Sequence, residues 1–235
     1  MRKTISLLFL CLATYASACT NFIVGKDAST DGSVICTYNA DDYGMFQFLC
    51  HYPAAKHAPG EMRKIYDWDS NKYHGEIPEA PETYNVIGNI NEYQVTIGET
   101  TYGGREEMVD STGIIDYGSL IYLALQRSKT AREAIQVMTH LVETYGYNSE
   151  GETFTICDPN EAWIMEMMGM GPGSKSAVWV AIRIPRQCHL CPRQPESHQQ
   201  VQYEGQGQRA LFQKRGEVCK KNGVVHWQGC RFQLE

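Results

Sequence analysis

Apolar and polar residues alternate with period two in several short runs, and one later stretch carries a helical period. Residues 20–24 (TNFIV) read as a strand, 28–32 as a turn and 33–38 as a second strand, so the chain predicts a hairpin with Cys19 at its edge. Residues 84–87 and 94–100 predict another hairpin, closed by Gly88 through Glu92, where Gly and Asn tolerate turn angles. Helices are expected over 117–126 and 130–145. The second opens with Thr130 as N-cap and Glu133 three residues on, a capping-box pattern ahead of Ile135, Met138 and Leu141. Residues 153–157 and 162–167 flank the turn Asp158-Pro159-Asn160-Glu161, and 177–184 is a continuous, buried-looking strand. Between the first two hairpins, residues 41–82 read as a long aromatic loop, and loops of that length are commonly functional. The order of strands, helices, strands predicts an α+β fold in which helices lie on stacked sheets.

The first residues follow a different pattern. Arg2 and Lys3 precede an apolar run over 5–13 and then Ala16-Ser17-Ala18, which together read as a signal peptide, residues 1–18. Cleavage there makes Cys19 the first residue and sends the chain to the periplasm or exterior of a bacterium. The apolar run is too short for an ordinary membrane span, and no membrane span is expected. Residues 1–185 hold 13 Lys plus Arg against 23 Asp plus Glu, an acidic balance that argues against nucleic acid as a partner.

Texture changes after Pro185. The last 50 residues hold 10 Gln against 4 in the first 185, and no sustained period. Residues 19–185 are therefore taken as the N-terminal part of a catalytic domain and 186–235 as an aberrant tail. A zinc site at Cys188, Cys191, Cys219 and Cys230 is disfavoured, because the second pair is spaced too widely. Back-translation offers a better account: synonymous codons for 186–198, read one nucleotide out of frame, give DNAICAHANQSR. The tail is thus expected to be out of frame and the domain incomplete at its C-terminal side. Cys36, Cys50 and Cys157 read as buried thiols, since cysteine packs as a small hydrophobe.

The segment from Cys19-Thr20-Asn21-Phe22-Ile23-Val24-Gly25 through Asp31-Gly32-Ser33, followed by Asn39-Ala40-Asp41, resembles the start of the family C69 dipeptidases. The resemblance continues through Asn91-Glu92, Ile97-Gly98-Glu99-Thr100-Thr101, Asp158 to Trp163, and Trp179 to Pro185, and the shifted frame restores an AHAN segment of the same kind. It implies an N-terminal nucleophile hydrolase, related to bile-salt hydrolases and penicillin V acylases, with an αββα sandwich fold. The implied activity is hydrolysis of a small peptide substrate by a cysteine, with no metal and no cofactor.

That resemblance assigns roles. Cys19 supplies the nucleophilic thiol and, through its own α-amine with an unperturbed pKa of about 7.7–8.0, the base. Attack on an amide gives a thioester, which water then releases. Asp41 matches an acid that orients amine and thiol. Thr100 falls where relatives place an oxyanion donor, a group needed for the charge that develops on the carbonyl oxygen. Asn39 and Tyr38 fall at the substrate, and Tyr38 stands where many relatives carry Arg. Bland readings stay open: Asp41 and Asn39 as turn residues, Thr100 as an ordinary strand residue, Asn91-Glu92 as a turn. Two other functions remain in view, an acylase acting on N-acyl amides and a surface binding protein anchored by lipid on Cys19.

Overall fold

The structure, a computed structural model, describes residues 19–40, 49–190 and 210–212. It is mixed α+β. The opening hairpin pairs β1 (Thr20–Val24) with β2 (Ile35–Asn39), from Thr20 opposite Asn39 to Val24 opposite Ile35. Its turn is set by Asp31, whose Oδ1 accepts from the Ser33 amide and hydroxyl at 3.0 and 2.7 Å, and by Gly32 at φ 75°. That angle is cheap only without a Cβ.

Residues 49–83 hold more strand than the sequence predicts. Here lie β3 (His51–Tyr52), β4 (Ala55–Lys56), β5 (Met62–Tyr66), β6 (Tyr73–Pro78) and β7 (Glu82–Thr83), with β5 and β6 forming a separate antiparallel ribbon. Only Ile65 and Ile77 of that ribbon are buried hydrophobics, among Lys, Glu and Tyr neighbours, so its apolar signal is too thin to register. The hairpin expected over 84–100 is a three-strand meander: β8 (Val86–Ile87), β9 (Ile90–Asn91) and β10 (Thr96–Gly103). Asn91 is a structural anchor there. Its Nδ2 donates to the Leu125 and Ser128 carbonyls at 2.8 and 2.7 Å, and its Oδ1 accepts from the Tyr93 and Val95 amides, both at 3.0 Å.

Both helices fall where the pattern predicts. Helix α1 (Tyr117–Leu125) is capped by Asp116, whose Oδ1 accepts from the Gly118 and Ser119 amides at 3.0 Å. Helix α2 (Ala131–Tyr145) is capped by Thr130, whose Oγ1 accepts from the Glu133 amide at 3.2 Å. Glu133 reaches back to the Lys129 amide at 2.7 Å, one residue earlier than a capping box would have it. Asp158, read as a turn residue, holds its turn through Oδ1 and takes the Ala131 amide of α2 on Oδ2 at 2.9 Å.

The later strands are β11 (Gly151–Cys157), β12 (Ala162–Gly169), β13 (Ala177–Ile184), β14 (His189–Leu190) and β15 (Ala210–Phe212). An eight-stranded antiparallel sheet runs β15-β13-β12-β11-β10-β9-β8-β3, and a smaller one runs β14-β1-β2. Strand alternation divides the core in two. Phe154, Ile156, Trp163, Met165 and Met167 join the helices in the main cluster. Cys157, Ala162, Ile164 and Ile184 face the opposite way and meet Ile23, with Val34 and Cys36 against them. Strand β12 reads as apolar sequence interrupted only by Glu166, because both of its faces are covered.

The layers are therefore a small sheet, a large sheet and a pair of helices. Past Pro185 the described chain stays paired: β14 lies against β1, and Arg186 forms an ion pair with Asp27 at 2.8 Å. No helix among the described residues is long and apolar enough to cross a membrane. Cys157 is buried, while Cys36 and Cys50 are half-buried.

Candidate active site

Strand β10 is paired on one side with β11 along its length, but on the other with β9 only through Thr96. Beyond that point its edge is covered by side chains. Asn89 Nδ2 donates to the Ile97 carbonyl at 2.7 Å, and Asn21 Nδ2 donates to the Glu99 carbonyl at 2.8 Å. These amides satisfy backbone acceptors that a neighbouring strand would otherwise take. The small sheet meets the large one along this edge. That contact brings the start of β1, the end of β2 and the middle of β10 together.

Cys19, immediately before β1, donates its Sγ hydrogen to Glu99 Oε1 at 3.6 Å. The Tyr38 hydroxyl, from β2, donates to the same oxygen at 2.7 Å. Glu99 is itself buried, 3% exposed. Parity explains its direction: Glu99 and Thr101 share the side of β10 that Ile97 uses for the main core, while Gly98 and Thr100 face the small sheet. A Cβ on Gly98 would come within 2.9 Å of Asn21 Oδ1 and 3.0 Å of Tyr38 Cβ, so the sheets approach closely only because that residue is glycine.

A second carboxylate stands beside the first. Glu152, opposite Thr101 in the ladder, is 1% exposed, and its Oε1 accepts from the Thr101 hydroxyl at 2.9 Å. Burial and the charge of Glu99 push the Glu152 carboxyl up to about 10, so it holds a proton at neutral pH. Nearby, the Tyr117 hydroxyl donates to Asp69 Oδ1 at 2.9 Å. Burial raises both groups. Asp69 is raised further by surrounding carboxylates, Glu99 among them, and Tyr117 by Asp69 and Glu99. Tyr38 is likewise held well above a phenol's usual range, by burial first and then by Glu99. The surroundings of the Cys19 thiol are thus strongly acidic.

The sequence-predicted residues are distributed as follows. Cys19 and Tyr38 converge on Glu99. Thr100 is buried with its Oγ1 accepting from Asn21 Nδ2 at 2.7 Å, which makes it a joint between β10 and β1. Asn39 is exposed at the end of β2, opposite Thr20. Asp41 lies outside the described residues, as do Tyr43, Phe46 and Phe48 of the aromatic loop. Other aromatics of that stretch, Tyr52, Tyr66 and Trp68, line a cavity of about 260 Å³ with Arg63 and Tyr122. Glu99 and Glu152 went unread as functional residues. Their signal was parity: each is a charged residue at a position whose neighbours two away, Ile97 and Phe154, are core.

Among the described residues, metal-ligand chemistry gathers at Asp67, His74 and Asp116, whose ligand atoms lie within 4.8 Å of one another. Asp116 Oδ1 is already engaged by amides of α1, and Asp67 Oδ1 by the Ser70 amide at 2.8 Å.

A model of the family described as Peptidase family C69 matches residues 18–204. The chain belongs to peptidase family C69. The match starts at the residue before Cys19 and takes in strands β1 to β14 and both helices. Among curated relatives, a protein named Probable dipeptidase from Latilactobacillus sakei is 28% identical over 193 residues, covering 74% of this chain and 38% of that protein. The Dipeptidase of Bifidobacterium longum is 26% identical over 203 residues, covering 74% and 36%. A Probable dipeptidase of Salmonella dublin is 28% identical over 190 residues, covering 72% and 41%. The match to this chain therefore spans less than half the length of these relatives.

Proposed function

We propose that this C69 chain hydrolyses short peptides, dipeptides among them, with the Cys19 thiol as nucleophile. The observation that carries the reading is the convergence of Cys19 and Tyr38 on Glu99 of β10, in a family whose relatives are named dipeptidases. Two sheets packed face to face with helices on one side also suit the αββα sandwich of N-terminal nucleophile hydrolases.

The chemistry follows from the groups present. Removal of residues 1–18 exposes the α-amine of Cys19, which takes the thiol proton as the sulfur attacks the carbonyl carbon. The C–N bond breaks, the leaving amine takes the proton, and an acyl thioester remains on Sγ. Water, activated by the same α-amine, cleaves that thioester and restores the thiol.

Incubation of the chain beginning at Cys19 with a dipeptide panel and with N-acyl amides tests the reading. Release of amino acids from dipeptides supports it, and turnover confined to N-acyl amides favours the acylase.

A further inference from the structure

Two thiols from different sheets meet in the smaller core. Cys157, on β11, is buried there with Ile23, Ala162, Ile164 and Ile184, and Cys36, on β2, packs against the same cluster. Alternation along β2 turns Cys36 and Tyr38 inward together. Tyr38 lies over Gly98, where an added Cβ would come within 3.0 Å of the tyrosine Cβ, and Thr155 is the ladder partner of Gly98. Farther along β2, Cys36 Sγ donates to Thr155 Oγ1 at 3.6 Å, which sets it over the face of β11 that Thr155 and Cys157 share. At this crossing, Cα atoms of β2 and β11 come within 8 Å of one another. A disulfide joins Cα atoms about 4.4–6.8 Å apart, a range that ordinary sheet packing at about 10 Å does not approach.

The surroundings divide the pair into an attacking and a resolving thiol. A hydrogen bond from Cys157 comes first in holding the Cys36 thiol below its ordinary range, with Thr155 and Thr96 adding to it against the opposing effect of burial. Cys157 is pushed well up, by its bond to Cys36 and by burial. Thr96 stands opposite Cys157 in the ladder, and its buried hydroxyl has no hydrogen-bond partner of its own among the described residues, so it is free to donate to a thiolate. Cys36 is half-buried and Cys157 buried, so an incoming reagent meets Cys36 first.

We infer that Cys36 and Cys157 form a disulfide on exposure to a small disulfide of the glutathione class, and that this bond pins β2, with the Tyr38 it carries, to the large sheet. The Cys36 thiolate attacks one sulfur of oxidised glutathione, whose S–S bond breaks, and one glutathione leaves as a thiolate that takes a proton from water. Cys157 then loses its proton and attacks Cys36 Sγ, and the second glutathione departs and is protonated. Two protein thiols are oxidised to one disulfide while one glutathione disulfide is reduced to two thiols. The cysteines lie about 120 positions apart, so the bond removes much of the unfolded chain's freedom. Cys188 packs against the same cluster, but the groups that act on Cys36 are Cys157, Thr155 and Thr96. No step uses Cys19, so the inference stands apart from the hydrolytic reading.

The test holds the chain from residue 19 onward, with Cys19→Ala to remove the competing thiol, in glutathione buffers of stepped oxidised-to-reduced ratio. Acid quenching, alkylation, digestion and mass analysis then read the pairing. One linked peptide joining Cys36 to Cys157 is expected, and it should persist in a tenfold excess of reduced over oxidised glutathione. Urea unfolding of the oxidised chain should show a midpoint about 1–2 M above that of the reduced chain, a shift that Cys36→Ser abolishes. Absence of the linked peptide, linkage of Cys36 to Cys188, a glutathione adduct that goes no further, or an unchanged midpoint would overturn the inference. The pairing readout stands even if Cys36→Ser does not fold.

Discussion

Glu152→Gln offers a direct reading of the buried acidic pair. In the unfolded chain this carboxyl titrates near its ordinary value of 4.5, whereas burial and the charge of Glu99 raise it to about 10 in the fold. Because the folded value is raised, the native state takes up a proton at any pH between the two. Stability is full below about 4.5 and falls as pH rises toward 10. At pH 7 the gap from the unfolded value is 2.5 units, which at 1.36 kcal/mol each costs about 3 kcal/mol. With 1% exposure, solvent screening takes little from that figure. Glutamine does not titrate and keeps an Oε1 acceptor for Thr101. The variant should therefore match the parent near pH 4.5, exceed it by about 3 kcal/mol at pH 7, and pull further ahead by pH 8. Urea unfolding followed by tryptophan fluorescence at pH 5, 6, 7 and 8 measures the gap. A gap that stays constant with pH, or shrinks as pH rises, would refute the assignment of a protonated Glu152.

Other outcomes are expected elsewhere in the chain. Asn91→Ala strands two amides and two carbonyls of the meander and α1 region, and urea unfolding should show a loss of about 3 kcal/mol. Thr130→Ala removes the N-cap of α2 and should cost about 1 kcal/mol by the same assay. Intact mass of the protein expressed in a bacterium with residues 1–18 present should place Cys19 first with no acyl chain attached, whereas two or three added acyl chains would support the lipid-anchored reading. Sequencing of the gene around codon 186 should reveal that a one-nucleotide change opens the frame encoding AHAN, and the out-of-frame reading of residues 186–235 fails if it does not.

Elements with a strong period were legible. Both helices, the cap at Thr130 and strands β11 to β13 follow from apolar spacing, from Thr130 ahead of Glu133 and from the Asp158-Pro159 turn, whereas the cap at Asp116 emerged only in the fold. The ribbon of β5 and β6 was not, because its buried content is essentially Ile65 and Ile77 amid charged residues. At the site, Cys19 announced itself by standing behind an apolar leader and ahead of a strand. Glu99 did not, since its proximity to Cys19 spans 80 positions along the chain and depends on a glycine, Gly98, that lets two sheets close together. Thr100 was favoured over Glu99 as the polar residue of this strand. Period-two parity, anchored on Ile97, turns Glu99 to the acidic cluster and Thr100 to Asn21.

The central claim is that Cys19 attacks the peptide bond. Its most direct test is acid quenching of the chain beginning at Cys19 during dipeptide turnover, followed by mass analysis of the peptide that carries it. The account predicts an acyl group of the substrate's first residue on the Cys19 sulfur, absent in Cys19→Ala, which should hydrolyse at the background rate. Turnover by Cys19→Ala equal to that of the parent would contradict it.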